Sequence, residues 1–192
     1  MRSAEFDRED VLRSAMDAFV AKGYAKTSMQ DLKKVTGLHP GSIYCAFENK
    51  RGLLIAALEQ YRDDKSQEFQ ALFDSQPTVM AGFEKYLSWV VEECETEEIK
   101  DCLLQKSLSE MAQQDDEVEH LISMMLQDWH QSIEEKLAQA QQAGQASQKK
   151  SPAQLAQFLV MGIYGMRTLS HTQPKPGVLS ELKDALLEHI SA

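Results

Sequence analysis

Side chains able to do acid–base, nucleophilic or metal chemistry are scattered along this 192-residue sequence. The five histidines, His39, His120, His130, His171 and His189, include no pair at the three- or four-residue spacing that puts two ligands on one helix face. There is no glycine loop to cradle a phosphate and no nucleophile elbow. Neighbouring acids such as Glu134 and Glu135 read as a solvated helix face. Cys45, Cys94 and Cys102 form an odd set without metal-like spacing, which fits a reduced cytoplasm better than a disulfide framework. The expectation is therefore a protein that is not an enzyme and carries no metal and no cofactor. One stretch concentrates groups that recognise rather than react: SMQDLKKVTGLHPGSIYCAFENK, Ser28 to Lys50. Its hydroxyls, lysines and glycines are interrupted by single apolar residues, a mixture suited to phosphate oxygens and base edges.

Such groups need rigid elements behind them. Ser28 with Asp31 three residues later makes a capping box, and Met29, Leu32 and Val35 give the helix that follows one apolar face. Gly37 ends that helix, because glycine enters the left-handed region at little cost. Pro40 suits the first turn of a second helix, where N–H groups lack internal partners. Ile43 and Phe47 lie four apart and point inward, whereas Ser42 and Tyr44 leave that stripe. Two short helices around a glycine turn, buried on one side and polar on the other, describe a helix-turn-helix over residues 28–47.

At these residues the sequence resembles the DNA-binding domain of the TetR/AcrR family of one-component bacterial repressors. The likeness runs from about Asp7 to Leu58 and rests on Ala15, Phe19, Gly23, Ser28, Asp31, Leu32, Gly37, Gly41, Tyr44, Phe47, Lys50 and Leu53. Leu32-Lys33 and Thr36 depart from the family's usual residues, at packing and surface positions rather than in the turn. The resemblance implies phosphate contacts at Tyr44 and Lys50 and close approach of the backbone to DNA at Gly41. The N-terminal end of a recognition helix faces the bases, which puts His39, Pro40, Gly41, Ser42 and Cys45 nearest them. Ser28, Gln30, Lys33 and Lys34 are further candidates for phosphate contact. The second helix lacks Arg, Asn and Gln, the usual bidentate base readers, so specificity falls to Ser42, His39, thymine methyl contacts, water or DNA shape.

The formal net charge of −10 argues against a general nucleic-acid binder. Its distribution points the other way: Met1 to Gly52 holds nine Lys/Arg against seven Asp/Glu, and the remainder eleven against twenty-three. No apolar run approaches the roughly 18–20 residues of a membrane span, and no signal-peptide apolar region opens the sequence.

Period-two alternation is absent, so the fold class is all-α, with about nine helices. Residues 5–52 form the expected DNA-binding head and 53–192 a helical effector-binding and dimerisation body. A first helix spans about Asp7 to Lys22, and a fourth runs from its cap at Asn49 to about Phe73. Pro77 opens a fifth to Cys94, followed by an acidic loop over Glu92 to Glu98. The rest are Lys100 to Gln113, Glu117 to Ala143, Pro152 to Ser170 and Val178 to Ile190. Asp101 to Leu104, Ser109-Glu110 and Gly162 to Ser170 also resemble the body of some family members.

In the body, Trp89, Met111, Met124, Met125, Trp129, Met161 and Tyr164 supply the aromatic and methionine side chains that line adaptable cavities, and equally those of a plain core. Cys102 sits at a position resembling the reactive cysteine of electrophile-sensing family members, which implies a candidate redox or electrophile sensor; Lys100 and Lys106 favour its thiolate, while Asp101 and the acidic run oppose it. One recognition helix reads little sequence, so pairing is expected. The residues offered for it are Leu155, Phe158, Leu159, Gly162, Ile163, Met166, Leu182 and Leu186. By resemblance, the partners are palindromic operator DNA, a second copy of the chain and a small-molecule effector, with no membrane. The function implied is a repressor released from its operator by a small molecule. The alternative is a helical ligand-binding or protein-interaction module that no longer binds DNA.

Overall fold

A computed structural model describes residues 7–96 and 115–192. Among these residues there are eight helices: α1 (Arg8–Lys22), α2 (Met29–Thr36), α3 (Pro40–Phe47), α4 (Lys50–Asp74), α5 (Val79–Glu95), α6 (Asp116–Gln142), α7 (Pro152–Ser170) and α8 (Val178–Ile190). The only extended pairing among the described residues is an isolated antiparallel bridge between Ala146 and Ser191. No described helix is long and apolar enough to cross a membrane. The helix expected over Lys100 to Gln113 lies outside the described residues.

The chain divides into two compact units. The first takes in residues up to Lys65 together with Asp101–Met125, and the second Ser66–Lys100 with Leu126–Ala192. By element bounds, α4 and α6 each begin in the first unit and end in the second.

In the first unit α1 packs on α2, and α2 on α3. Val11, Leu12, Ala15, Ala18 and Phe19 form one buried stripe of α1, and Leu32, Ile43, Phe47, Leu53, Leu54, Ala57 and Leu58 are buried as well. Each large side chain so buried contributes roughly 1.5–3 kcal/mol. Asp7 caps α1 by accepting from the Glu9 and Asp10 N–H groups. Thr27 is fully buried in the connection to α2, where its Oγ1 donates to the Gly23 carbonyl at 2.7 Å, with the Ala18 carbonyl 3.3 Å away. Met29, Leu32 and Val35 do not share one buried face: Val35 is 44 % exposed, Met29 half-buried and only Leu32 fully covered. Successive steps of three residues drift around the helix by about 60°, so an eight-residue helix touching its neighbours along one line seats only the central residue.

In the second unit α5, α7 and α8 pack pairwise. Their core holds Phe83, Leu87, Val90, Leu155, Leu159, Ile163, Met166, Leu179 and Ile190, joined by Phe69 and Phe73 of α4 and Ile133 and Leu137 of α6. Gly82 lies under the Phe73 ring, where a Cβ would come within 2.4 Å of the ring carbons. Two boundaries differ from expectation. Thr78, not Pro77, begins α5, because its Oγ1 accepts the Ala81 N–H at 3.1 Å. The helix also continues through Glu92 to Glu95 instead of opening into an acidic loop. Val91 and Cys94 are buried there, and Glu93 accepts from Arg167 Nη2 at 2.7 Å, so packing and one ion pair outweigh the repulsion of the acidic run.

Candidate nucleic-acid interface

The two motif helices begin and end on bonds that their own residues supply. Ser28 caps α2: its Oγ accepts the Asp31 N–H at 3.1 Å, and Asp31 accepts the Ser28 N–H at 2.9 Å. The Ser28 hydroxyl also donates to Asp31 at 2.6 Å, so its proton already has a partner. Lys22 pairs with the same carboxylate, and Lys22 and Ser28 together hold it well below the usual carboxylate range. Gly37 ends α2 with φ 69° and ψ −3°, a left-handed conformation suited to glycine.

His39 occupies the position before Pro40 and caps α3, its Nδ1 accepting the Gly41 N–H at 3.2 Å. The capping role was not legible from residue type, since serine, threonine, aspartate and asparagine are the usual caps. Beneath α3, Ile43 and Phe47 are buried. On the outer side His39, Gly41, Tyr44 and Cys45 are exposed and Pro40 and Ser42 half-buried, with Tyr44 showing half its surface. Gln30, Lys33 and Lys34 are exposed on α2. The ammonium of Lys50 stands 4.4 Å from the centroid of the Tyr24 ring, which steadies the lysine stem at the start of α4.

Two features tie this surface to its support that residue spacing alone does not reveal. The Arg8 guanidinium lies 4.8 Å from the centroid of Phe47, joining the first turn of α1 to the last of α3. Between α3 and α4 the chain reverses at Glu48, with φ 66° and ψ −47°, and the Asn49 N–H donates to the Phe47 carbonyl at 2.7 Å. That is a γ-turn with positive φ, a strained geometry. Asn49 then caps α4 by accepting the Gly52 N–H at 2.9 Å. Gly52 passes so close to Phe47 that a Cβ would sit 2.0 Å from its carbonyl oxygen.

Further along the first unit, Arg51 holds Asp115 with Nε and Nη2 and Glu117 with Nη2 at 2.7 Å, and Arg13 grips Asp64 through two hydrogen bonds of 2.9 and 3.0 Å. The guanidinium depresses the Asp115 carboxyl to about 2. Arg13 also bonds Glu9 at 2.9 Å one helical turn away, but Asp64 and Asp115 lie more than fifty residues from the arginines that hold them, so those pairs could not be read from sequence.

The effector-site candidates separate. Met125 is buried in the first unit, while Trp89, Trp129, Met161 and Tyr164 belong to the second. Trp129 and Tyr164 come together at 5.8 Å between ring centroids, with His130 Nε2 3.0 Å from the Tyr164 hydroxyl and Trp129 Nε1 donating to Tyr86 at 3.0 Å. Burial lowers the His130 pKa. Trp89 joins the same aromatic cluster through Tyr86, at 6.2 Å. Met161 does not join it, being 60 % exposed, and Met124 is 48 % exposed. Cys102 and Met111 lie outside the described residues. An open depression of about 360 Å³ is found elsewhere in the second unit, lined by Ser147, Lys149, Lys150, Ala185, Glu188 and His189.

The dimer-face candidates also divide. Leu155, Leu159, Ile163, Met166 and Leu186 are buried in the second unit's own core, so they are core positions. Gly162 serves the same packing, since a Cβ there would lie 2.4 Å from a Leu186 methyl. Phe158 is half-buried and stacks on His189 at 3.9 Å, and Leu182 is 39 % exposed.

This arrangement matches known proteins along nearly its whole length. Residues 11–57 match the family of bacterial regulatory proteins, tetR family, and residues 77–186 match the tetracyclin repressor-like C-terminal domain. The chain is 28 % identical over 170 residues to the HTH-type transcriptional repressor ComR of Escherichia coli (strain K12), covering 86 % of this chain and 80 % of that protein. It superposes on reduced E. coli NemR with a TM-score of 0.85 at 17 % identity, covering 96 % of each chain. It also superposes on a cysteine mutant of the TetR family regulator CifR complexed with 26-base-pair operator DNA, with a TM-score of 0.81 at 22 % identity, covering 99 % and 100 % of the two chains. With both of its family models matched, one to the helix-turn-helix unit and one to more than half of the chain, the protein belongs to the tetR family of bacterial regulatory proteins.

Proposed function

We propose that this protein represses transcription by binding palindromic operator DNA as a homodimer in the cytoplasm and leaves the operator when a small molecule occupies its second unit. The observation that carries the reading is the outer side of α3. An exposed Tyr44 and Gly41 sit over a core closed by Ile43 and Phe47, on a helix short enough to lie in a major groove. Tyr44 and Lys50 contact phosphates, joined by Lys33, Gln30 and the N-terminal end of α2 at Ser28, while His39, Pro40, Gly41 and Ser42 face base edges. The intact cap, glycine turn and exposed face argue against a module that has lost DNA binding. Residues 5–52 are the head in this scheme and 53–192 the body. Because α4 and α6 are continuous from the first unit into the second, a ligand that shifts either helix moves the head attached to it. Half-sites separated by about 34–36 Å, or multiples, are engaged only at matched spacing.

For pairing, the face left by the core is Met161, Gly165 and Leu182, flanked by Phe158 and Gly162. For the effector, the proposed lining in the second unit is Trp89, Trp129 and Tyr164; Met125 belongs to the first unit, and Met111 and Cys102 remain sequence-based candidates. The test is a mobility-shift titration on duplex from the gene's own upstream region at several salt concentrations. Affinity should fall steeply as salt rises, through counterion release. Indifference to every duplex at low salt refutes the proposal.

A further inference from the structure

The cap on α3 fixes more than the start of a helix. Pro40 has no N–H, so Gly41 carries the first N–H of α3 that needs a partner, and His39 Nδ1 accepts it at 3.2 Å. A ring nitrogen accepts only through an unprotonated lone pair, so in the neutral imidazole the proton resides on Nε2. That second nitrogen lies on the far edge of the ring. His39 is exposed, and apart from the cap its ring makes no hydrogen bond with the described residues. The outer edge of His39 therefore presents an N–H donor with no hydrogen-bond acceptor among the described residues.

The rest of α3 (PGSIYCAF) offers little else with a fixed sense. It contains no Arg, Lys, Asn or Gln. The Ser42 hydroxyl turns to donate or accept as its partner requires, and a thiol is a weak donor. In the major groove cytosine presents only a donor, adenine a donor beside its N7 acceptor, and thymine one acceptor next to a methyl. Guanine alone presents two neighbouring acceptors, N7 and O6, and no donor. We propose that His39, locked by its cap as an Nε2–H donor, reads a guanine in each operator half-site and is the main directional base reader of α3. This rests on the proposed insertion of α3 into the major groove.

The experiment selects duplexes from a random-sequence pool with the full-length wild-type protein, H39S and H39N, each first checked for native helix content by circular dichroism. Serine and asparagine both cap helices well, so both variants keep the start of α3. Serine is too short to reach a base, whereas the asparagine amide suits adenine. The wild type should select one guanine at symmetric positions, and replacing it by 7-deazaguanine should weaken binding about fivefold, as expected for one hydrogen bond. H39S should lose the preference at that position alone, becoming indifferent to 7-deazaguanine, and H39N should shift it toward adenine. If H39S selects the same sequence as the wild type, His39 is only a cap and the assignment is wrong. A wild-type protein that selects no sequence at low salt overturns the DNA-binding reading beneath it as well, so the two failures are distinguishable.

Discussion

Glu48 and Gly52 set the geometry of the motif from opposite sides. Glu48 holds φ 66° with a side chain attached, and that side chain is exposed. Removing the Cβ relieves backbone strain of order 1 kcal/mol. Glu48→Gly should therefore raise the unfolding free energy read from a urea titration by about that much. Glycine also frees the unfolded chain, so a smaller gain would measure the entropy it restores. Gly52 is the converse. A methyl group 2.0 Å from the Phe47 carbonyl oxygen meets backbone rather than a flexible side-chain tip. Gly52→Ala must push α3 away from α4, and a loss of about 2 kcal/mol or more is expected in the same titration. An alanine variant as stable as the wild type would show that the α3–α4 junction has slack to absorb the methyl. Neither residue stands out by type: a glutamate after a phenylalanine looks like surface, and a glycine in a helix looks like an accident.

At the scale of elements, the proposed phosphate contacts join α3 to the start of α4. Tyr44→Phe removes one hydroxyl from an exposed ring, and Lys50→Ala removes a cation braced on Tyr24. Each should weaken binding to all duplexes by a similar factor, and Lys50→Ala should lower the slope of log affinity against log salt by about one. Fluorescence anisotropy at four salt concentrations reads both quantities; unchanged affinity in both variants removes these residues from the interface. In the second unit, α6 and α7 share the contact between His130 and Tyr164. Burial depresses the His130 pKa below its ordinary value of 6.5, so the unfolded chain takes up the proton first as pH falls. The stability due to the neutral ring is complete above pH 6.5 and is lost as pH drops toward the folded-state value. Thermal midpoints should therefore decline between about pH 7.5 and 5.5, and the decline should be shallower in His130→Gln. Equal slopes in the two proteins would assign that pH dependence to other groups.

For the whole molecule, the question is which apolar residues serve the protomer and which its partner. Leu159 is fully buried in the second unit's core, whereas Met161 on the same helix and Leu182 on α8 are exposed. Leu159→Ala should cost about 2–5 kcal/mol of folding stability. Met161→Glu combined with Leu182→Glu should leave the fold intact and shift sedimentation from dimer toward monomer at micromolar concentration, weakening operator binding with it. A charged double variant that still sediments as a dimer would move the pairing surface elsewhere.

The order of residues was enough to specify the eight described helices apart from the ends of α5, the capping box at Ser28, the turn at Gly37, the inward pair Ile43 and Phe47 and the resemblance to the family. Each of these is a local matter of periodicity, hydrogen-bonding type or backbone freedom, written within about four residues. Packing added what depends on neighbours far along the chain. It separated Leu159 from Met161, seated Leu32 but left Val35 exposed, and extended α5 through an acidic run by burying Cys94 and pairing Glu93 with Arg167. It also gave Arg51 and Arg13 their carboxylates and pressed Gly52 against Phe47. An apolar stripe says that a face must be covered, and only the packed chain says by what; the same holds for a charge and its partner.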